Sequence, residues 1–206
     1  MGLYHCVRVD CGPSPRRSAS SRDRRALRSR EAILSAGIAL VRERDTSELS
    51  VSEIATRAGV SRQVVYLNYG DRNQLLIDAA VELFTREFVN NLGALRGPMF
   101  RDTLLLTRRF DDNREFYRVM LGGPCSYELN RELSLLLQPF NTEAVRFLLG
   151  DDVDDEMVES LSAFLTGGFE RLISSWVTSR QPGLPGPEEF AHRITRVLQS
   201  FALNHN

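Results

Sequence analysis

Apolar residues recur along this chain at helical spacing, and the period-two alternation of half-buried strands is missing from its main segments. Ile33, Ala36, Gly37, Leu40 and Val41 follow i, i+3, i+4, i+7, i+8, one face of a 3.6-residue period. Val51, Ile54, Ala55 and Ala58 repeat the pattern over a shorter stretch, and Leu76, Ala79, Ala80, Leu83 and Phe84 over a longer one. Beyond a break at Leu95–Gly97–Pro98, residues 99–110 and 113–121 read as two shorter helices around Asp111 and Asp112. Gly122–Gly123–Pro124 is a firm stop. Ser126–Gln138 follows with Leu129, Leu133 and Leu136, and Pro139 is expected to kink that helix or split it from 140–149. The acidic run Gly150–Asp155 lacks the alternating ligands of a calcium loop and reads as a cap for the helix at 154–180. A last helix is expected at 187–204, so the fold class is all-α.

Ser50–Tyr69, SVSEIATRAGVSRQVVYLNY, organises the rest. Ser50 with Glu53 three residues on is a capping box, which satisfies the orphan amides of a helix start. Gly59 ends that helix, because glycine takes the left-handed backbone without steric cost. Ser61 can cap a second helix in which Val65 and Tyr69, four apart, form a buried seam. Arg62, Gln63, Val64, Tyr66, Leu67 and Asn68 are left on the outward sides. An arginine, two amides and a phenol on one exposed helix suit a reader of the DNA major groove. Gln63 is assigned to base edges, since an amide pairs bidentately with adenine, and Arg62 to guanine or a phosphate. Val64 and Leu67 can meet thymine methyls if they face the groove; otherwise Leu67 covers apolar surface.

The ordered signals Ile-x-x-Ala, Ser-Val-x-x-Ile-Ala, Ala-Gly-Val-Ser and Tyr-x-x-Tyr, then a basic residue before Leu75, resemble the tetracycline-repressor (TetR) family of bacterial regulators over roughly residues 26–85. That resemblance implies a three-helix DNA-binding head with a connecting fourth helix, and Ser50, Ser61, Tyr66, Asn68 and Arg72 on the phosphate backbone. Two departures stand out. Asn68 and Tyr69 replace the family's usual histidine and phenylalanine, and Arg72 its lysine; each keeps a hydrogen-bond donor or an aromatic ring, while the half-site sequence stays unread.

Charge refines the domain picture. The whole chain carries −1, but residues 1–21 carry +2, residues 22–95 carry +1 and residues 96–206 carry −4. All 26 basic residues are arginine, which fits a GC-rich coding bias and argues against over-reading any one of them. Residues 1–21 are expected to be a disordered tail, 22–95 the head and 96–206 a helical regulatory and dimerisation body. The arginine-rich stretch 22–30 is either solvated tail or an arm reaching phosphates or a minor groove. The start lacks a signal peptide's order and no apolar run approaches the ~18 residues of a membrane span, so a cytoplasmic protein without membrane contact is expected.

Within 154–180, Val158, Leu161, Leu165, Leu172 and Trp176 make one stripe, and Met157, Phe164, Gly168 and Ile173 a second, offset one. Gly167–Gly168 would let another backbone come close. With Phe190, Ile194, Val197, Leu198 and Phe201 on the last helix, the spare apolar surface suggests a four-helix homodimer interface through Leu161, Phe164, Gly168, Leu172, Ile194, Leu198 and Phe201. The resembled family dimerises in this region. Two-fold pairing doubles a short site, so the partner is double-stranded DNA with a palindromic operator. A small-molecule effector would sit among the helices from 101 to 180, with Phe116, Tyr117, Met120, Tyr127, Phe164 and Trp176 as candidate lining or plain core. The acidic body disfavours a strongly anionic effector, although Arg108, Arg109 and Arg118 can counter that locally.

Other classes find little support. His5, His192 and His205 have no partner motif for catalysis, and the cysteines Cys6, Cys11 and Cys125 no metal spacing; no enzyme, metal or cofactor is expected. A DNA-binding structural or division-linked factor without a ligand is the main alternative, and thiol sensing through Cys125 a third.

Overall fold

Nine helices make up the regular structure among the residues described by the computed structural model, 21–89, 99–149 and 153–202. They are α1 (Ser21–Arg44), α2 (Val51–Ala58), α3 (Arg62–Tyr69), α4 (Arg72–Val89), α5 (Met99–Asp112), α6 (Arg114–Gly122), α7 (Ser126–Leu149), α8 (Asp155–Thr178) and α9 (Pro187–Ala202). The expected tail and the break around Gly97 lie outside the described residues.

In the head, α1 packs on α2 and α4 with the residues its period demands: Ile33, Ala36, Leu40 and Val41 are buried against Ile54, Ala55, Leu76, Ala79 and Ala80. Gly37 permits the close approach of α1 to α4, since a Cβ there would lie 3.1 Å from Leu75 Cδ2 and 3.2 Å from Leu76 Cδ2. The stretch 22–30 is helical and not a loose tail. It forms the opening turns of α1, where Arg24, Arg25 and Arg28 are exposed and Arg30 Nε meets Glu82 at 3.3 Å.

Of the kink and the split expected at Pro139, the split does not occur: α7 runs through it. The missing amide leaves the carbonyl of Leu135 unpaired, and both residues are exposed, so water can take the hydrogen bond the proline cannot. At the start of α8, Asp154 accepts a hydrogen bond from Met157 N at 2.7 Å, the capping role expected of the acidic run.

The body is built around α6, whose Phe116, Tyr117 and Met120 are all buried. Tyr117 reaches the head, donating its hydroxyl to Ala80 O at 3.1 Å, and the ring series Phe84–Phe110–Tyr117 continues that contact at 5.8 and 4.9 Å between centroids. A polar joint supplements it. Asp45, in the left-handed region with φ 53°, pairs with Arg118 of α6 and, at 3.5 Å, with Arg180 beyond α8. Arg42 Nη2 donates to Asn113 Oδ1 at 2.6 Å beside it. Head and body therefore share one continuous hydrophobic core.

The last two helices do not lie side by side as a pair. α9 packs chiefly along α5, where Phe100 stacks on His192 at 4.0 Å and Thr107 Oγ1 donates to Pro187 O at 3.0 Å. α8 meets α9 mainly at one end, through the Trp176–Phe190 stack at 4.4 Å. Arg114 lies over the same indole at 4.2 Å, and Trp176 Nε1 donates to Pro185 O at 2.9 Å.

Candidate nucleic-acid interface

The corner between α2 and α3 is built by its capping residues. Ser50 Oγ accepts from Glu53 N at 3.2 Å while Ser50 N donates to Glu53 Oε2 at 2.9 Å, closing the reciprocal box. The Ser50 amide first, and then the Ser50 hydroxyl, donate to the Glu53 carboxylate and hold it below its usual range. At the other end Gly59 is left-handed (φ 66°), and Val60 N reaches Ala55 O at 3.0 Å, satisfying a carbonyl at the end of α2. Ser61 then caps α3, accepting from Val64 N at 3.4 Å.

On α3 the buried seam is Val65 and Tyr69, at 1% and 5% exposure. Burial raises the Tyr69 phenol above its usual pKa, a shift opposed by nearby Arg30, and its hydroxyl has no hydrogen-bond partner among the described residues. Val64 is half-buried against the same core. Arg62, Gln63, Tyr66, Leu67 and Asn68 are exposed. Among the described residues Arg62, Gln63 and Tyr66 make no hydrogen bond or ion pair inside the chain, so their polar groups are available to a partner. Arg44 and Arg57, by contrast, are paired with Glu53 and Glu43.

The expected phosphate contacts are less uniform. Ser50 Oγ also donates to Glu53 Oε2 at 2.8 Å, and Asn68 Nδ2 donates to Val64 O at 2.7 Å. The Ser50 hydroxyl would have to exchange that bond for a phosphate, whereas the Asn68 amide keeps a second N–H to donate. Arg72 is half-buried, bracing Leu49 O at 3.4 Å and Asn73 Oδ1 at 3.1 Å, with further N–H groups of its guanidinium left over. Its bracing role depends on a contact 23 residues away and has no local signal in the sequence.

The six candidate pocket residues do not come together. Phe116, Tyr117, Met120 and Trp176 are core, whereas Tyr127 and Phe164 are 76% and 62% exposed. One cavity lies between α5, α6, α7 and α8, walled by Phe110, Leu121, Leu133 and Phe169 with Asn130 and Glu170 on its polar side. Its volume is about 20 Å³, room for roughly one water. Ser134 Oγ donates to Glu170 Oε2 at 2.7 Å on its wall. Arg108 and Arg118, considered as counters to an acidic body, are engaged by Glu188 and Asp45. Cys125 is buried, and that burial pushes its thiol up, away from the reactive thiolate.

The expected interface residues also divide. Phe164 and Gly168 are exposed, Leu161, Leu172 and Leu198 half-buried, and the side chain of Phe201 lies outside the described residues. Ile194, at 2% exposure, belongs to the chain's own core because α9 turns that face to α5. A Cβ on Gly167 or Gly168 would meet nothing within 4 Å, so no backbone of this chain makes the close approach their size allows.

Comparison with known proteins bears on the whole arrangement. The sequence pattern of the bacterial regulatory proteins, tetR family, matches residues 33–79, which span the second half of α1 through the first two turns of α4. The search of curated proteins finds no match. Among solved structures, a TetR transcriptional regulator from Streptococcus agalactiae is 19% identical with a TM-score of 0.61, covering 86% of this chain and 97% of its own. A putative TetR-family regulator from Rhodococcus sp. is 17% identical with a TM-score of 0.60, covering 84% and 98%. NalD, the secondary repressor of the MexAB-OprM multidrug efflux pump in Pseudomonas aeruginosa, is 19% identical with a TM-score of 0.55, covering 85% and 96%. At these identities the likeness is one of fold. Among the described residues no helix is long and apolar enough to cross a membrane.

Proposed function

We propose that the chain is a DNA-binding regulator of the TetR kind, which binds a palindromic operator as a homodimer and represses transcription until a small-molecule effector releases it. In this reading residues 22–95 are the DNA-binding unit and 96–206 the sensing and dimerising one. The observation that carries it is the outward side of α3, where Arg62, Gln63 and Tyr66 keep their polar groups unengaged on a helix locked by the Val65–Tyr69 seam. Gln63 addresses an adenine edge, Arg62 a guanine or phosphate, and Tyr66, Ser61, Ser50, Asn68 and Arg72 the backbone.

Dimerisation is supported by the outward side of α8. Met157 and Phe164 are exposed there beside Gly167 and Gly168, whose open flank suits a second helix from outside the chain. α9 would add Val197 and Leu198, with Ile194 left to the core. A dimer seated across an operator excludes other proteins from that DNA, which is the simplest route to repression. An effector that prefers a body with the wrong head separation would release it by population shift.

The alternative, a structural or division-linked DNA-binding factor without a ligand, is favoured by one observation, the small size, about 20 Å³, of the cavity between α5, α6, α7 and α8. Footprinting on the DNA flanking the protein's own gene, with random DNA as competitor, tests the main reading. A protected two-fold symmetric stretch is expected; salt-sensitive binding that random DNA abolishes would sink it. Given an operator, a screen in which no small molecule changes its affinity would favour the alternative.

A further inference from the structure

Leu67 is the most exposed of the large apolar side chains among the described residues, at 79%, and it sits in the middle of the DNA-facing helix. Single exposed leucines are ordinary on protein surfaces and by themselves ask for no explanation. The position of this one is what matters. At about 100° per residue, Leu67 lies roughly 200° round the helix from Val65 and 160° from Tyr69, directly opposite the buried seam. Gln63, one turn earlier, shares that ridge, so the two residues farthest from the core are one amide and one isobutyl group. Val64, the other aliphatic residue considered for the groove, packs partly on the core. Leu67 is not among the residues packed on the core and is exposed over most of its surface, which weakens the covering role that competed with groove contact.

Resting on the DNA-reading role given above, we infer that Leu67 is a specificity-determining residue that reads the C5-methyl group of a thymine in each half-site. The major-groove edge of an A·T pair offers one apolar group, the thymine methyl, and a branched aliphatic side chain can remove it from water without needing a hydrogen bond. Gln63 on the same ridge reads hydrogen bonds, so the pair divides the edge into polar and apolar information. A polar residue opposite the seam would gain little from that methyl, and cytosine, lacking it, would leave Leu67 against a polar amino edge.

Selection from a random DNA pool with the full-length protein supplies the probe, and replacing its thymines one at a time by deoxyuridine removes only the methyl. One position in each half-site is expected to lose about fourfold in affinity, the equivalent of one methyl taken out of water. Leu67→Ala should bind uracil- and thymine-containing DNA equally at that position, while other uracil substitutions affect it as they affect the wild type. Thermal unfolding of Leu67→Ala should match the wild type, since the side chain is not packed on the core. Selected DNA whose uracil substitutions act identically on both proteins would overturn the assignment of Leu67 alone. If no sequence is enriched, base reading by α3 fails altogether, and this assignment with it.

Discussion

Gln63 and Tyr69 show opposite uses of a polar side chain on one short helix. Gln63 is exposed with its amide unengaged, so Gln63→Ala should weaken operator binding by roughly 10- to 100-fold, the worth of a bidentate base contact, while changing random-DNA affinity little. Competition binding checks this, and equal losses on both DNAs would show that Gln63 does not read bases. Tyr69 carries a hydroxyl into the core with no partner among the described residues. Its removal costs nothing in packing, so Tyr69→Phe should leave stability unchanged or raise it by about 1 kcal/mol in denaturant unfolding. A loss of stability would mean that the hydroxyl is satisfied by buried water.

At the scale of single helices, what could be read in advance was what local chemistry decides. The Ser50–Glu53 box, Gly59 and the Val65–Tyr69 spacing are short-range signals, and α2 and α3 form where those signals put them. Ser50→Ala, which opens the box, should cost about 1 kcal/mol and lower the thermal midpoint accordingly; an unchanged midpoint would mean that packing alone holds α2. Elements whose fate is set by distant partners were less legible. Pro139 argued for a break, yet an exposed proline inside a long packed helix is tolerated because solvent takes the orphaned carbonyl. The arginines at 22–30 left a tail and an arm open, yet they form the opening turns of α1, with Arg30 itself tied to Glu82 of α4. Ile194 has the period of an interface residue and the burial of a core one, a distinction that depends on α5 packing beside it. The bracing of Arg72 against Leu49 was likewise unreadable, because nothing near Arg72 in sequence encodes a partner 23 residues back.

For the molecule as a whole, the proposed dimer rests on the open flank of α8. Phe164→Glu places a charge where a second copy would bury an aromatic ring, and it should weaken association by about 2 kcal/mol or more, roughly thirtyfold. Sedimentation of both proteins at matched concentration checks this. Equal masses would move the interface elsewhere, and operator affinity should fall with dimer content if two heads act together. At the joint, the ion pairs from Asp45 to Arg118 and Arg180 link the end of α1 to the body beside the shared core.

The indole of Trp176 has a further use, since it is the chain's one tryptophan. Buried between Arg114 and Phe190 with its N–H held by Pro185, it ties α6, α8 and α9 at a single point. Ultraviolet excitation at the red edge of the indole band therefore interrogates the body and leaves the recognition helix dark. The native protein should fluoresce toward the blue, and any compound that loosens this junction should shift the emission red. An unlabelled sample can thus be screened for effectors optically, before an operator is in hand.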